Sequence, residues 1–485
     1  MSLFTPNNQL QGIILAAGTS ARFKTGRTKL VEKICGREMI LYPTDVLTKL
    51  NIPVYMVVGF QRDVVEEVVK EHFLKKVTFV HQEEQNGTGH AIYCTQDTWT
   101  ADNILIMNGD MPLVTTDIIE KLYNKHADNN ATITFATAHH CDPEGMYGRV
   151  IQGTDNIQII EAQDFEGDVT ENCCVNAGIY IIKKDFLKKA IHTLSANNKA
   201  QEWYITDLIK VAADQKEKVL TLSVPFDRIR GVNNFKELWA VEQIKKSEII
   251  QHWMGNGVRF AIAHNVHIDW NVLIGMGTFI GSGVQLLKGT QVGKDCSINA
   301  FSLVTASTIK DRTTIKEHTI IENSTLEAEV CVGPFSYVHG NSVLETKAFV
   351  GSFVEVNRSR IGAETKAKHL SYLGDTHTEE KVTIGAGTIV CNYDGARKHI
   401  TKIQSGVLLG GNTTVIAPVT IGNDSIVAAG STITEDVPAN ALAIARSRQH
   451  NKEDYANQIR EKQKKSKTEK FFVAATSKTS FDELQ

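Results

Sequence analysis

The sequence predicts an α/β fold with a mostly parallel sheet, followed by a parallel β-helix of hexapeptide repeats. Two observations carry this prediction. Continuous apolar runs alternate with stretches of helical spacing over the first 230 or so residues, and apolar residues recur every six positions beyond residue 257. A chain of 485 residues is also longer than the chains that usually fold around one hydrophobic core, so two or three domains are expected.

Five apolar or β-branched runs in the first part of the chain predict strands that are buried on both faces of a sheet. They are residues 12–18, 54–60, 76–80, 103–110 and 131–137. The stretches between them, such as Asp63 to Phe73 and Thr116 to His126, have the spacing of helices. This alternation predicts helices layered on a mostly parallel sheet. Asn234 to Met254 then predicts one amphipathic helix that connects to the next domain.

The second pattern has a period of six residues, which neither a helix nor a simple strand explains. A hexapeptide period is typical of a β-helix, in which one apolar residue points inward on each short side. Three runs share the period. They are Ile268, Ile274, Ile280, Leu286, Val292 and Ile298, then Val332, Val338, Leu344, Val350 and Val356, then Val415, Ile421, Val427 and Ile433.

Composition and charge exclude several classes of protein. The formal net charge of -3 argues against a general nucleic-acid binder. No apolar run approaches about 18 residues, so no membrane span is expected, and the first residues do not resemble a secretory signal. The eight cysteines are scattered without CxxC spacing, which predicts reduced thiols in the cytoplasm and no zinc site. A charged segment, residues 449–485, is expected to be a solvated tail.

Two features of the first part predict a phosphate site. Leu15, Ala16, Ala17 and Gly18 open a loop of small residues after the first strand, which lets backbone amides approach phosphates. Arg22 and Lys29 could neutralise a triphosphate. Such loops are also common as purely structural turns.

The second feature is Asn108-Gly109-Asp110, which follows a buried strand. Open α/β sheets bind ligands at the carboxyl ends of their strands, and Mg²⁺ takes one or two carboxylate oxygens together with substrate phosphates. The alternative is that Asp110 caps the next helix.

Eight ordered motifs give the chain its resemblance to a known family. They are LAAG with Arg22 and Lys29, Gln82 to Ala91, Asn108 to Asp110, Tyr147 to Val150, Ile160-Glu161, Val175 to Ile179, Glu202 to Asp207 and Gly231 to Asn234. In order and spacing they resemble the bifunctional N-acetylglucosamine-1-phosphate uridylyltransferases/glucosamine-1-phosphate acetyltransferases, from about residue 12 to 447. The resemblance implies a Rossmann-like nucleotidylyltransferase domain (1–233), a linker helix (234–256), a left-handed β-helix (257–448) and the tail.

The resemblance implies roles for the amino-terminal residues. Gln82, Gly87 and Thr88 would bind the uracil ring, and Asp110 and Asn233 would coordinate Mg²⁺. The sugar would be held by Gly148, Glu161 and Asn176. N-acetylglucosamine-1-phosphate would attack the α-phosphate of UTP and release pyrophosphate. The loop departs from the family pattern at Ser20, where a glycine is usual, and a tighter loop is expected there.

The resemblance also implies an acetyltransferase in the β-helix. His369 would be the base that takes the proton of the acceptor's ammonium, since histidine has a suitable pKa. Tyr372 would contact the acceptor, glucosamine-1-phosphate. Asn392 and Tyr393 would close the site near the acetyl group. Ala386, Gly411, Ala429 and Arg446 would line the groove for acetyl-coenzyme A. Such sites lie between subunits, which implies a homotrimer.

Three residues depart from the family's acceptor site. His339 and Asn357 stand where an arginine and a lysine are usual, and Thr383 stands where an asparagine is usual. Losing two cations that face a phosphate would cost about 1.5–3 kcal/mol for each charge-assisted bond. Arg358 is expected to face away from Asn357, because neighbouring strand residues alternate. The alternatives are therefore a β-helix that acylates a different amino sugar and one that serves in trimerisation.

Overall fold

The computed structural model describes residues 9–20, 23–141, 147–153, 157–168 and 172–478. Eleven strands and eight helices precede the β-helix in these ranges. The strands are β1 (Leu10–Ala16), β2 (Lys33–Ile34), β3 (Arg37–Glu38), β4 (Val54–Val58), β5 (Val77–His81), β6 (Asn103–Asn108), β7 (Ile133–His139), β8 (Arg149–Gln152), β9 (Ile157–Ile160), β10 (Cys174–Lys183) and β11 (Val219–Ser223). The helices are α1 (Leu41–Lys49), α2 (Arg62–Phe73), α3 (Thr88–Tyr93), α4 (Thr116–Asp128), α5 (Lys184–Ala190), α6 (Asp207–Asp214), α7 (Phe226–Ile229) and α8 (Phe235–Gly255).

Nine of these strands form one mixed, mostly parallel sheet in the order β11-β7-β10-β6-β1-β4-β5, with β8 and β9 attached beside β10. Only β10 runs antiparallel to its neighbours β6 and β7 along that order. Residues from both faces of the central strands are buried, Ile13 and Ile14 among them, as the continuous apolar runs predict. Leu15 pairs with Asn108, so the loop after β1 and the Asn108-Gly109-Asp110 segment meet at one edge of the sheet.

The connecting helix α8 forms where the sequence predicts a helix. The side chain of Asn234 caps it by accepting a hydrogen bond from the Glu237 backbone, at 2.9 Å. Its predicted amphipathic character is wrong, because only Val241 and Ile250 are buried while Trp239 is 64% exposed.

The β-helix consists of short parallel strands. They are β12 (Arg259–Phe260), β13 (His267–Ile268), β14 (Leu273–Ile274), β15 (Phe279–Ile280), β16 (Gln285–Leu287), β17 (Gln291–Val292), β18 (Ser297–Ile298), β19 (Leu303–Thr305), β20 (Thr308–Ile309), β21 (Thr314–Ile315), β22 (Ile320–Glu322), β23 (Thr325–Leu326), β24 (Cys331–Val332), β25 (Tyr337–His339), β26 (Val343–Leu344), β27 (Phe349–Asn357), β28 (Arg360–Ile361), β29 (Lys366–Gly374), β30 (Thr376–Thr378), β31 (Thr383–Ile384), β32 (Ile389–Cys391), β33 (Thr401–Ile403), β34 (Leu408–Leu409), β35 (Thr414–Ile416), β36 (Val419–Ile421), β37 (Ile426–Val427), β38 (Thr432–Ile433) and β39 (Leu442–Ala443).

Each coil has three sides, which explains the period of six. Most strand residues pair with residues 17 or 18 positions later, as Thr308 does with Thr325 and Leu273 with Gln291. The apolar residue of each hexad points inward, and all fifteen residues of the three repeating runs lie in one buried core. Residues with positive φ turn the corners, in one row from Phe301 to Phe353.

The structure corrects the prediction for two cysteines. Cys141, after β7, and Cys173, before β10, form a disulfide with a Cα–Cα distance of 4.5 Å. The other six cysteines are free, as expected. No local sequence pattern indicates this pair, because the two cysteines are 32 residues apart and are brought together by the pairing of β7 with β10.

A last helix, α9 (Tyr455–Lys478), follows the β-helix. Its residues 455–470 are exposed, which agrees with a solvated charged segment. Among the residues that the structure describes, no helix combines the length and the apolar character that a membrane crossing requires.

Candidate active sites

A cavity of about 360 Å³ lies at the carboxyl ends of β1 and β6. Ten of the residues predicted to bind nucleotide line it, and they come from four separate segments of the chain. They are Leu15, Ala16, Ala17, Gly18, Lys29, Gln82, Gly87, Thr88, Asn108 and Asp110. Gly109 lies behind this wall and donates a backbone hydrogen bond to Leu15 at 2.9 Å.

The departure at Ser20 has a structural role in the phosphate loop. Ser20 has φ +56°, in the left-handed region that a glycine adopts at lower cost. Its hydroxyl accepts a hydrogen bond from the Lys29 backbone at 3.0 Å, which ties the loop to the segment carrying the lysine. The serine thus adds a contact that a glycine cannot make. The predicted phosphate ligand Arg22 lies outside the described residues.

Lys29, Asp110 and Asn233 form one polar cluster in the wall of the cavity. The Lys29 ammonium lies 2.5 Å from Asp110 Oδ2 and 2.9 Å from Asn233 Oδ1. Two oxygens from distant parts of the chain therefore surround a single cation. Because this is the hard oxygen donor set that Mg²⁺ prefers, the residues fit the predicted metal.

The cluster is held in place by a further carboxylate. Glu237 accepts a hydrogen bond from the Asn233 backbone at 2.5 Å. Burial raises the pKa of Glu237, although that hydrogen bond opposes the shift. The first turn of α8 thereby fixes the position of Asn233 relative to Asp110.

The predicted uracil-binding residues form the opposite wall. Gln82 is 3% exposed, and its amide donates to the Gly87 carbonyl at 3.2 Å. Gly87 has φ +100°, and a Cβ there would lie 2.5 Å from the Trp203 carbonyl, so glycine is required. The Thr88 hydroxyl accepts from the Ile205 backbone at 3.1 Å. These contacts give the cavity a rigid amide and backbone edge.

The three predicted sugar-binding residues lie together beyond the cavity lining. The Gly148 carbonyl accepts from the Asn176 backbone at 2.9 Å, and a Cβ on Gly148 would lie 3.4 Å from Glu161 Oε2. The Thr206 hydroxyl donates to Glu161 at 2.8 Å. Burial raises the pKa of Glu161, although the Thr206 hydrogen bond opposes the shift. The structure thus groups these residues as the resemblance implies.

Several lining residues were missed by sequence reasoning, namely Thr19, Leu30, Gln85, Ala91 and Glu202. Glu202 opens the motif Glu202 to Asp207, so that motif could have pointed to it. Burial raises the pKa of this glutamate. Gln85 lies inside the segment Gln82 to Ala91, but nothing in that pattern distinguishes it from its neighbours.

The predicted coenzyme groove follows one corner of the β-helix. Successive coils are joined there by backbone hydrogen bonds from Gly387 to Leu370 at 2.8 Å, from Asn412 to Ala386 at 2.7 Å and from Gly430 to Gly411 at 2.8 Å. His369 is exposed immediately before Leu370, Ala429 precedes Gly430, and Arg446 lies 3.8 Å from the Cβ position of Gly430. His369, Ala386, Gly411, Ala429 and Arg446 are therefore brought into one row.

The side chains along this corner change from large to small at the predicted base. Stacked rings of Phe301, His318, Phe335 and Phe353, with centroids 5.1–5.4 Å apart, lead to Leu370. The next corner positions are Gly387, Asn412 and Gly430. The side chains at the corner therefore become smaller directly after His369, and the smaller side chains leave space for an extended ligand.

Asn392 belongs to a second corner of the same face. Arg358 binds both carboxylate oxygens of Asp375, at 2.9 and 3.0 Å, and Asn392 donates to the same carboxylate. The prediction that Arg358 faces away from Asn357 is wrong, because its guanidinium donates to Asn357 Oδ1 at 2.8 Å. Arg358 has φ +51° at the corner, where strand alternation ends. Its guanidinium thus lies beside Asn357, the residue that stands where the family usually has a lysine.

Tyr393 begins the loop that follows Asn392. Its ring is 60% exposed, and its hydroxyl donates to the Gly395 carbonyl at 2.6 Å. Asp394 accepts from the Arg397 backbone, which lowers the pKa of this carboxyl, and His399 pairs with it at 2.7 Å. This coil is longer than the others, since Ile389 pairs with Thr414. The extra residues form the loop.

His339 and Thr383 occupy different surroundings. His339 Nε2 lies 3.1 Å from Glu355, and its ring stacks on Tyr337 with centroids 4.0 Å apart. Thr383 is exposed and pairs with Lys366. His339 therefore lies beside a carboxylate and an aromatic ring that could contact a sugar.

The predicted acetyltransferase residues are divided between the two corners. Tyr372 lies on β29 between Leu370 and Gly374, the segment that crosses the face. The corner residues Leu370 and Asp375, both with positive φ, are five positions apart, so at about 3.3 Å per residue the corners are separated by about 16 Å. A single chain thus places His369 with the groove and Asn392 across the face.

Models of three known families match the chain. A MobA-like NTP transferase domain matches residues 12–175. A hexapeptide repeat of succinyl-transferase matches residues 271–306, and the bacterial transferase hexapeptide of six repeats matches residues 400–435. The matches agree with the observed α/β sheet and the left-handed parallel β-helix.

Whole-length relatives are also found, among them several proteins named bifunctional protein GlmU. The protein of Thermosipho africanus is 37% identical over 91% of this chain and 95% of its own length. That of Caldicellulosiruptor saccharolyticus is 37% identical over 93% and 97%, respectively. That of Clostridium botulinum strain 657 is 35% identical over 91% and 97%.

Proposed function

Since the chain belongs to the family of bifunctional GlmU proteins, we propose how its two sites carry out the synthesis of UDP-N-acetylglucosamine. The protein is a bifunctional uridylyltransferase and N-acetyltransferase. The β-helix acetylates glucosamine-1-phosphate, and the amino-terminal domain transfers the uridylyl group of UTP to N-acetylglucosamine-1-phosphate. A β-helix that serves only in trimerisation is not favoured, because the relatives match through both halves.

The observation that carries the first activity is the cation cluster beside the small-residue loop. Lys29 neutralises phosphate charge next to Asp110, while the loop Leu15 to Gly18 presents backbone amides. Asp110 and Asn233 would hold Mg²⁺, which would further neutralise the charge of the phosphate oxygens. The protein forms no covalent bond with either substrate in this proposal, so the positions in which it holds the two substrates determine the rate.

Specificity in this site comes from two groups of residues. Gln82, with the Gly87-Thr88 backbone, forms an amide edge that complements the imide edge of uracil. Glu161 and Asn176 bind the sugar hydroxyls and the acetamido group. The Thr206 hydrogen bond holds the Glu161 carboxylate toward the Gly148 backbone.

The second activity depends on His369. Attack on the thioester of acetyl-coenzyme A requires a free amine, so a base must take the ammonium proton of the acceptor. His369 is exposed beside Leu370, where the corner changes to the small residues that accommodate the coenzyme. Arg358, next to Asn357, provides a guanidinium toward the phosphate of the acceptor, and Tyr372 contacts the sugar.

We further propose a homotrimer in the cytoplasm. The separation of His369 from Asn392 and Tyr393 across one face supports a site that is completed by a neighbouring subunit. We also propose that the chain is divided into a nucleotidylyltransferase domain (1–233), a linker helix (234–256), an acetyltransferase β-helix (257–448) and a charged tail (449–485). Sedimentation of the purified chain tests it, with a mass three times that of the monomer as the expected result.

Two assays of the purified protein test the proposed reactions separately. UTP with N-acetylglucosamine-1-phosphate and Mg²⁺ should release pyrophosphate, and acetyl-coenzyme A with glucosamine-1-phosphate should release a thiol. Thiol release with unphosphorylated glucosamine, but not with the phosphate ester, would show that the acceptor assignment is wrong. The absence of pyrophosphate release would contradict the first assignment.

A further inference from the structure

A group of three metal-ligating side chains lies outside both active sites. His139, Cys141 and Cys173 each offer one ligand atom, and these atoms all lie within 4.8 Å of one another. His139 and Cys141 are exposed, and Cys173 is partly exposed. The two sulfurs form the disulfide described above.

The pairing of two strands fixes this group in space. β7 ends at His139, which pairs with Cys174 of β10, and the next residue donates its backbone hydrogen bond to the Cys173 carbonyl at 2.7 Å. That residue, His140, stacks on Phe226 with a centroid distance of 3.5 Å. The backbone positions of the three ligands therefore do not depend on the sulfur–sulfur bond alone.

We propose that His139, Cys141 and Cys173 form a binding site for a soft divalent cation such as Zn²⁺ when the disulfide is reduced. Two thiolates and one imidazole are a typical set of three protein ligands for zinc, with a solvent molecule in the fourth position. Ligand bonds of about 2.0–2.3 Å place such ligands within about 4 Å of each other. The His139 ring nitrogen already lies within 4.8 Å of both sulfurs, and the sulfurs, now joined by a covalent bond, would move apart on reduction. The disulfide and the metal complex exclude each other, since both use the same two sulfurs.

The disulfide is exchanged for the metal complex in two steps, reduction and metal binding. A dithiol reductant transfers two electrons and two protons to the Cys141–Cys173 disulfide and becomes a disulfide itself. The cation then binds the two sulfurs and the imidazole nitrogen, and the two thiol protons pass to solvent. In either form the chain is cross-linked between Cys141 and Cys173, and the closed segment carries Gly148 and Glu161.

Cobalt binding tests the proposal. The full chain is reduced with a dithiol, desalted without oxygen and titrated with Co²⁺, whose sulfur-to-metal charge-transfer absorption distinguishes this site from oxygen sites such as Asp110. We expect the absorption in the reduced protein at one Co²⁺ per chain, its absence in the oxidised protein, and its reversal when Zn²⁺ is added. Failure of the reduced protein to show it would overturn the proposal.

Variants assign the ligands. Cys173→Ser should abolish the absorption and His139→Ala should weaken Co²⁺ binding. Cys174→Ser, at the adjacent partly buried thiol, should leave it unchanged. An unchanged spectrum in Cys173→Ser, or a loss in Cys174→Ser, would contradict the assignment. Cys141→Ser provides a second loss variant if Cys173→Ser does not fold.

Discussion

The ammonium of Lys29 lies 2.5 Å from the carboxylate of Asp110, and the same ammonium lies 2.9 Å from the Asn233 amide oxygen. The lysine and the proposed magnesium therefore use the same two oxygens. A cation that enters between Asp110 and Asn233 competes with Lys29 for them. Once displaced, the lysine is available to neutralise phosphate charge.

This competition predicts a double effect of Lys29→Met. Loss of one charge that stabilises the transition state should lower kcat/KM for UTP by about 10²–10³-fold. The residual activity should reach half its maximum at a lower Mg²⁺ concentration, because no ammonium competes for Asp110. Steady-state pyrophosphate release over a Mg²⁺ series measures both, with the exposed Lys24→Met as the control. A higher Mg²⁺ requirement would argue against competition.

Glu161→Gln should separate stability from sugar binding. Burial raises the pKa of Glu161, so the folded state binds its proton more tightly than the unfolded state does. The stability associated with this group is fully present below the unfolded pKa and is lost as pH rises through the folded pKa. The neutral glutamine, which still accepts from Thr206, should therefore raise the unfolding temperature near pH 8 and change it little at pH 4.

The same substitution should weaken sugar binding. Loss of a charged acceptor costs about 1.5–3 kcal/mol, so KM for N-acetylglucosamine-1-phosphate should rise about tenfold to a hundredfold. An unchanged KM would show that Glu161 does not bind the sugar, whatever the effect of the substitution on stability.

Arg358→Ala should impair acceptor binding in the β-helix. The guanidinium binds Asp375 and Asn357, and Asp375 in turn holds Asn392. Losing this charge-assisted network should raise KM for glucosamine-1-phosphate by at least about tenfold, with pyrophosphate release unchanged. The matched control is Arg360→Ala, which removes another arginine that pairs with a carboxylate, since Arg360 lies 2.5 Å from Glu345. Equal effects of both variants would indicate a structural role only.

Acid should destabilise the amino-terminal domain through His126. Burial, with a smaller effect of the Lys183 charge, lowers the pKa of His126 from 6.5 to about 4. The ring lies 3.0 Å from both Thr134 and Asn103. The unfolded chain binds the proton more tightly, so stability falls as pH drops from 6.5 toward 4, by about 2 kcal/mol at pH 5.

His126→Gln should remove most of this pH dependence, although the variant is less stable at pH 7 because its hydrogen bonds are altered. Urea unfolding of the amino-terminal domain at pH 7 and pH 5 measures the difference. The same loss of stability in both proteins would show that another group is responsible.

Local patterns were sufficient to predict the α/β sheet and the β-helix, whereas the left-handed sense of the β-helix was implied by the family resemblance. The period of six at Ile268 to Ile298 reflects one inward side chain for each side of a coil, and every member of that run is buried. The continuous apolar run over residues 12–18 likewise predicted a strand buried on both faces, and the observed strand is Leu10–Ala16. Both patterns reflect which residues within one short segment are buried, and this information is present in the sequence of that segment alone.

Contacts between distant segments were not accessible in this way. The Cys141–Cys173 pair depends on the register of β7 with β10. The position of Arg358 depends on a corner with φ +51°, where the alternation rule for strands fails. The tie between Ser20 and Lys29 requires a left-handed serine that the sequence pattern does not reveal.

The central claim is that the chain carries two independent active sites, and paired substitutions test it most directly. Pyrophosphate release and thiol release are measured in Asp110→Ala and in His369→Ala, each checked for the oligomeric state of the wild type. Asp110→Ala should lose pyrophosphate release and keep thiol release. His369→Ala should lose thiol release by about 10²–10⁴-fold, as expected for a general base, and keep pyrophosphate release. Loss of both activities in either correctly assembled variant would contradict the account.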